Sequence, residues 1–320
     1  MAQQIVVMKS GQGFVDRLQA LSHLIEYCLI NKAILCVDWR DEAWGQAQWD
    51  FHDFFEILGV YTIPLEIVGR IANAKIVPAC WTNELIKKPL TKDCLSDEYI
   101  CPIMCEGYNK IEGDILVTNG MGYRYYHTRI ILTNIRFKKN VSELIQQRLS
   151  EYYLPATVIH LRGTDRYIPD VIEILVKEYS MLDTENKKRV YHISDSVDLM
   201  NEWTAKVPQS QLCNKNCSIL KIKDTTKKAT HKMNSDELKT YGISKYNLII
   251  DSLADFVALS FATNAVGQSK SVFYEVARKL WEHSGPEAIG GMLHGYKPQI
   301  RIDTHHFYHT LQTRQLLGIV

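Results

Sequence analysis

The chain has 320 residues, 46% of them hydrophobic and 23% charged, a balance that excludes a disordered or collagen-like polymer. Its 37 basic and 36 acidic residues leave a formal charge of +1, and without an Arg/Lys-rich run there is no footprint for a nucleic-acid partner. No apolar run approaches the roughly 18 residues that cross a bilayer, so no transmembrane segment is expected, and the length calls for two domains.

Met1 to Met8 lacks the basic start and the cleavage site of a leader, and Ile5 to Met8 reads as a first strand. A Ser10-Gly11-Gln12-Gly13 loop follows, then apolar residues at helical spacing from Phe14 to Ile30, then a second apolar run from Ala33 to Val37. This βαβ opening predicts a parallel sheet. From Asp38 to about Gly120 the pattern is irregular and rich in aromatics (Trp39, Trp44, Trp49, Phe51, Phe54, Phe55, Trp81), with short strand candidates at Lys75 to Val77 and Ile115 to Val117. Those rings suit a carbohydrate platform, and core packing accounts for them more simply.

A helix over Val141 to Tyr152 is broken by Leu154-Pro155, and a second domain begins with the strand Thr157 to Leu161. Beyond it strands (Val190 to Ile193, Ser218 to Ile222, Asn264 to Val266) alternate with helices (Pro169 to Tyr179, Val197 to Thr204, Asn247 to Phe261, Ser271 to His283), the pattern of a second doubly wound unit. The Lys-rich stretch 223–232 reads as a surface loop. The eight cysteines (28, 36, 80, 94, 101, 105, 213, 217) are read as thiols of a reducing compartment, which gives a cytoplasmic address. Neither Cys101 with Cys105 nor Cys213 with Cys217 has a histidine at ligand spacing, and His305, His306 and His309 lack a carboxylate, so no metal site is expected.

Two constellations carry chemistry. The first, His160-Leu161-Arg162-Gly163-Thr164-Asp165, emerges at the carboxyl end of a strand, where open α/β sheets bind ligands, and the planar fork of an arginine suits a diphosphate. Two readings stay open from these residues alone: a phosphate grip, or an Arg162–Asp165 pair at a loop start with His160 in the core. The second, Asn264 to Ser271, leads from a strand into a helix whose N-terminus can meet an anion, and Ser269 or Ser271 could equally be a plain cap. Asp195 and Asp255 flank the two; a carboxylate suits guanine N–H groups or sugar hydroxyls, while Asp195 as a helix cap and Asp255 as a solvated helix charge are the plainer alternatives.

In order and spacing, His160-x-Arg162 with Thr164-Asp165, the strand ending Ile193-Ser194-Asp195-Ser196, and Asp255 ahead of Lys270-Ser271 resemble the motif regions of the α1,6-, α1,2- and protein-O-fucosyltransferase superfamily. Gly11-Gln12-Gly13-Phe14 and Leu35 to Arg40 are similar to the opening of the bacterial nodulation α1,6-fucosyltransferases, and Ser271-Val272-Phe273 with Ala277-Arg278 is similar to their last motif. The resemblance runs from about residue 5 to 280.

It implies a GT-B-like α/β fold, two Rossmann-like domains facing a cleft: residues 1–155 on the acceptor side, 156–320 binding the nucleotide-sugar donor. It also implies inverting transfer of L-fucose from GDP-fucose to a hydroxyl of a glycan or protein, with no metal and no cofactor beyond the donor substrate. Arg162 would hold the β-phosphate, and His160 and Asp255 would contact guanine. Ser271 would meet the diphosphate, and Asp195, with Ser196 beside it, would lie near the donor. Asp170 falls where the α1,6 enzymes place a candidate base. The glycine loop is Gly11, Gly13 and Phe14. Relatives carry two adjacent basic residues where this chain has Arg162-Gly163, so Arg166 or Lys270 is expected to supply the second charge, beside Asp165. Another nucleotide sugar on the same scaffold, or a silent GDP-sugar-binding module, remains the alternative.

Overall fold

The computed structural model describes residues 3–11, 13–42, 49–99, 109–118, 134–150, 157–163, 170–187, 190–208, 233–268, 271–284 and 292–293. The chain divides into two compact units: 1–138 with 291–320, and 139–290.

The first unit is built on a parallel sheet of order β2-β1-β5-β4, from β1 (Ile5–Lys9), β2 (Ile34–Asp38), β4 (Ile76–Val77) and β5 (Ile115–Thr118). Both faces are apolar, as a sheet covered on two sides requires. Val7, Cys36, Ile115 and Val117 pack with Trp81, Ile86 and Leu90, while Val6, Met8, Leu35, Val37 and Leu116 point the other way and are equally buried. The helix α1 (Phe14–Asn31) joins β1 to β2, burying Leu18, Leu21, Leu24 and Ile25, and ends where Lys32 turns left-handed and donates its N–H to Cys28 O. The predicted opening is therefore the observed one.

The aromatic stretch folds as core. Short helices α2 (Phe51–Phe54), α3 (Leu65–Val68) and α4 (Asn83–Lys87) and an antiparallel ribbon of β3 (Phe55–Ile57) with β6 (Ile135–Phe137) fill the region. Trp39 packs edge-on against Phe51 and Phe55, and Trp81 is 2% exposed, so neither ring offers a platform; Trp44 lies outside the described residues. Phe137 donates its N–H to Met292 O, which ties residues beyond 290 back to this unit.

The second unit starts at α5 (Lys139–Ser150), not at the expected 156, because α5 packs on a later helix of this unit. Its parallel sheet has the order β8-β7-β9, with β7 (Thr157–Leu161) central, β8 (Val190–Ser194) and β9 (Asn264–Gly267) on either side. The helices are α6 (Val171–Ser180), α7 (Val197–Lys206), α8 (Ser235–Lys239), α9 (Lys245–Phe261) and α10 (Val272–Ser284). Ile159, Leu161 and Val266 face Ile172, Leu175 and Tyr179 of α6 and Leu199 and Trp203 of α7. His160 alternates to the opposite face, where it meets Phe273 and Tyr274 of α10. The expected strand at 218–222, the Lys-rich stretch 223–232, Cys101, Cys105, Cys213, Cys217 and the histidines 305, 306 and 309 lie outside the described residues. Among the described residues no helix is long and apolar enough to cross a membrane.

Candidate functional site

The strand order of the second unit contains a topological switch. The helix following β7 packs on one face of the sheet and the helix following β9 on the other, so a crevice opens outside the carboxyl ends of these two neighbours. Arg162 and Gly163 leave β7 at that point, and Gln268 and Ser271 leave β9. The Gln268 amide bridges the crevice by donating to Arg162 O at 2.8 Å.

Asp195, between β8 and α7, fixes the end of β7 from the other side. Its Oδ1 accepts from Gly163 N at 2.7 Å and its Oδ2 lies 3.2 Å from Arg162 Nε. Capping of α7 falls instead to Ser196, whose hydroxyl accepts from Leu199 N at 3.2 Å. Arg162 thus pairs with Asp195; Thr164, Asp165 and Arg166 lie outside the described residues. With Nε committed, the guanidinium is held in a defined plane at 20% exposure, the preorganisation that bidentate anion recognition calls for.

Gly163 has a steric cause. A Cβ there would stand 2.6 Å from Leu199 Cδ1 and 2.7 Å from Ser196 Cβ, so the turn into α7 leaves no room for a second basic side chain. Gly267 is constrained likewise: its Cβ would meet the Tyr274 ring at 2.6 Å and His160 Cβ at 2.9 Å.

That close approach shapes the surroundings of His160, whose ring lies 5.9 Å from Phe273 at 15° and 5.7 Å from Tyr274 at 30°. Burial, helped by the Arg162 charge, pushes the imidazole down to about 3, so it is neutral at any working pH. Its Nδ1 is buried and makes no hydrogen bond among the described residues. Ser271 is buried immediately ahead of α10, donating its N–H to Gln268 O at 3.0 Å and accepting from Glu275 N at 2.9 Å. Lys270 lies outside the described residues.

Asp255 sits on α9, half-buried rather than solvated, and its Oδ1 accepts from the Tyr191 hydroxyl at 2.8 Å. Burial, with Asp251 adding to it against the tyrosine bond, pushes its carboxyl up to about 8. Asp170 is exposed at the start of α6 in a left-handed conformation (φ 60°) without a capping hydrogen bond from its side chain. A non-glycine residue there carries strain that invites a functional reading. Gly267 and Gln268 belong to the second constellation, but their parts in it, like that of Tyr191, depend on a partner on another strand or helix, which local pattern does not reveal.

In the first unit the glycine loop precedes α1. Gly13 is its N-cap, and Phe14 stacks on Phe55 at 6.3 Å. The neighbouring charges are internal: Lys9 Nζ binds Asp38 Oδ2 at 2.5 Å and Lys88 O at 2.6 Å, and Arg17 binds Asp41 and the Trp39 carbonyl. Cys28, Cys36, Cys80 and Cys94 are thiols, and burial pushes Cys36 up to about 12. Among the described residues no three His, Cys, Asp or Glu side chains group as metal ligands.

The sequence matches no family model and no curated protein sequence. In fold the chain is similar to NodZ α1,6-fucosyltransferase soaked with GDP-fucose, at 17% identity and a TM-score of 0.59 over 86% of this chain and 92% of that one. Fucosyltransferase NodZ from Bradyrhizobium matches at 17% identity and 0.58 over 87% and 93%. POFUT1 in complex with GDP matches at 11% and 0.52 over 89% and 96%. The α/β architecture with Rossmann-like parallel sheets is therefore shared with these proteins.

Proposed function

We propose that this protein is a glycosyltransferase that moves L-fucose from GDP-fucose to a hydroxyl of a glycan or protein acceptor, with inversion and without a metal ion. The observation that carries the reading is Arg162, fixed by Asp195 at the switch point of the second sheet, where a diphosphate would lie. Ser271, opening a helix of 13 residues across the same crevice, is positioned to add N-terminal positive character. The shared fold supports the same donor, since the similar structures carry GDP-fucose and GDP.

In this reaction the acceptor oxygen bonds to the anomeric carbon of GDP-β-L-fucose as the bond to the diphosphate oxygen breaks. The sugar passes through an oxocarbenium-like state, GDP takes the electron pair, and the hydroxyl proton passes to a base. Negative charge develops on the leaving diphosphate, so donors set there in advance contribute most. Arg162 and Ser271 take that role, His160 and Asp255 contact guanine, and Asp195 keeps Arg162 in place. Asp170 is assigned as the base; Asp170→Asn would lower kcat while leaving GDP affinity unchanged, and full turnover in the variant removes it from the role. The first unit is assigned to the acceptor, and a cytoplasmic setting suits the buried thiols.

The test is release of the nucleoside diphosphate, GDP or UDP, from a panel of GDP-fucose, GDP-mannose and UDP-sugars, with a metal chelator present throughout. GDP-fucose turned over in chelator is the expected result. Turnover restricted to a UDP-sugar, or abolished by chelation, overturns the assignment.

A further inference from the structure

Tyr191 has no place in the reaction above, yet it touches the one carboxyl group assigned to the guanine. It pairs in register with Val158 of β7, and strand alternation puts its ring on the sheet face that carries His160. From there its hydroxyl donates to Asp255 Oδ1 at 2.8 Å. The next residue on α9, Phe256, packs edge-on against Phe273 at 5.6 Å, and Phe273 covers His160. A half-buried carboxyl on α9 is therefore tied, through Tyr191, to the sheet whose central strand leads to the arginine that would hold phosphate. The second acid of α9, Asp251, is held by Arg148 at 3.1 Å and does not share this bond.

Such a carboxylate discriminates among bases by hydrogen-bond pattern. Guanine presents two adjacent donors, N1–H and the exocyclic amine, to one carboxylate, whereas uracil presents a single N–H between two carbonyl oxygens that repel it. We infer that Tyr191 is a positioning residue for base selection: its hydroxyl fixes the Asp255 carboxyl in the orientation that accepts from guanine and rejects uracil. The inference rests on the reading that the nucleotide binds in this unit.

Asp255, Tyr191, and Asp251 with its partner Arg148 gather here, and His160 lies behind Phe273 on the same sheet face. Burial foremost, then Asp251, raises the Asp255 carboxyl to about 8, and the tyrosine bond pulls it down. Guanine needs the charged form, so GDP affinity should climb with pH toward that value. Removing the hydroxyl moves the climb to higher pH. Pyrophosphate, which makes no use of Asp255, should show the same pH dependence with and without the hydroxyl.

The experiment is calorimetric titration of the full chain with GDP, UDP and pyrophosphate from about pH 6.5 to about pH 8.5, for wild type, Tyr191→Phe, Asp255→Asn and the double variant. Tyr191→Phe is expected to weaken GDP about tenfold near neutrality, the equivalent of one pKa unit, and to leave pyrophosphate unchanged. In the Asp255→Asn background it should add nothing. Unchanged GDP affinity and pH limb, an equal loss of pyrophosphate, or a full further loss when Asp255→Asn is already present each overturn the inference. Should Tyr191→Phe fail to fold, Asp255→Asn alone decides: it must abolish both the preference for GDP over UDP and the pH limb. Wild-type protein that binds no GDP overturns the donor reading itself, a result separate from all of these.

Discussion

The two parallel sheets of this protein end in similar sequences, a strand running into charged and glycine residues, and the structure uses the charges in opposite ways. At the ends of β1 and β2, the side chains of Lys9, Arg17, Asp38 and Asp41 are at most 1% exposed and are satisfied by one another, by backbone carbonyls and, for Asp38, by the more exposed Arg40. Beyond β7, Arg162 keeps 20% and Asp195 12%. Burial decides the role. A pair shut from water is bound to the integrity of its unit, and desolvation lowers both Lys9 and Arg17. A pair left at the rim keeps its geometry and can still meet a ligand.

The comparison breaks most readily at Arg17. Arg17→Ala strands the Asp41 carboxylate in the interior, and a loss of about 3–5 kcal/mol in chemical denaturation is expected, with GDP affinity of the folded fraction unchanged. A loss under about 1 kcal/mol would show the pair to be dispensable. Arg162→Ala should do the reverse: turnover falls by roughly 10² to 10³, while stability changes by no more than about 1 kcal/mol, as for rim ion pairs. A large drop in melting temperature with catalysis intact would reverse the two roles.

Gly163→Ala comes next. The added methyl must displace Leu199 or Ser196, at about 1–3 kcal/mol, and shift the backbone beside Arg162. A neutral effect on denaturant midpoint and GDP binding would show that the turn has slack.

The smallest effects sharpen the contrast through pH. In the first unit burial foremost, with the Asp38 charge, raises the Asp50 carboxyl to about 6, above its unfolded value, so its contribution is present in acid and lost as pH rises through about 6. In the second unit His160 is lowered to about 3, so its contribution is present above about 6.5 and lost as pH falls toward about 3; His192, lowered to about 4, has the same sign. Hydrogen exchange followed from about pH 4 to about 6.5 should show Asp50→Asn weakening the pH dependence of the first unit alone and His160→Gln that of the second alone, where His192 adds to His160 and Asp255, raised to about 8, opposes it. No change with either variant would contradict the two burial states.

What could be read from sequence follows the same physics. Apolar β-branched runs such as Thr157 to Leu161 and Val190 to Ile193 announce buried parallel strands, and Phe14 to Ile30 is long enough for its periodicity to show. The elements of 51–57, 65–68, 83–87 and 135–137 are too short for a period, and their aromatics serve core and surface equally. Arg162, His160 and Ser271 stand at strand or helix ends where position alone is informative. Their partners are not legible: Asp195 reaches Gly163 across 32 residues, Tyr191 meets Asp255 across 64, and Gln268 reaches Arg162 across 106. The neighbour missing at Gly163 is a matter of space rather than of charge, set by Leu199 on α7, three elements further along the chain.

The central claim is that Arg162, held by Asp195, grips the diphosphate of GDP. Calorimetric titration of GDP into wild type and Arg162→Ala tests it most directly. The account predicts measurable binding by wild type and a loss of about a hundredfold or more in the variant, which melts at nearly the same temperature. Equal affinity for GDP in the two proteins would contradict it.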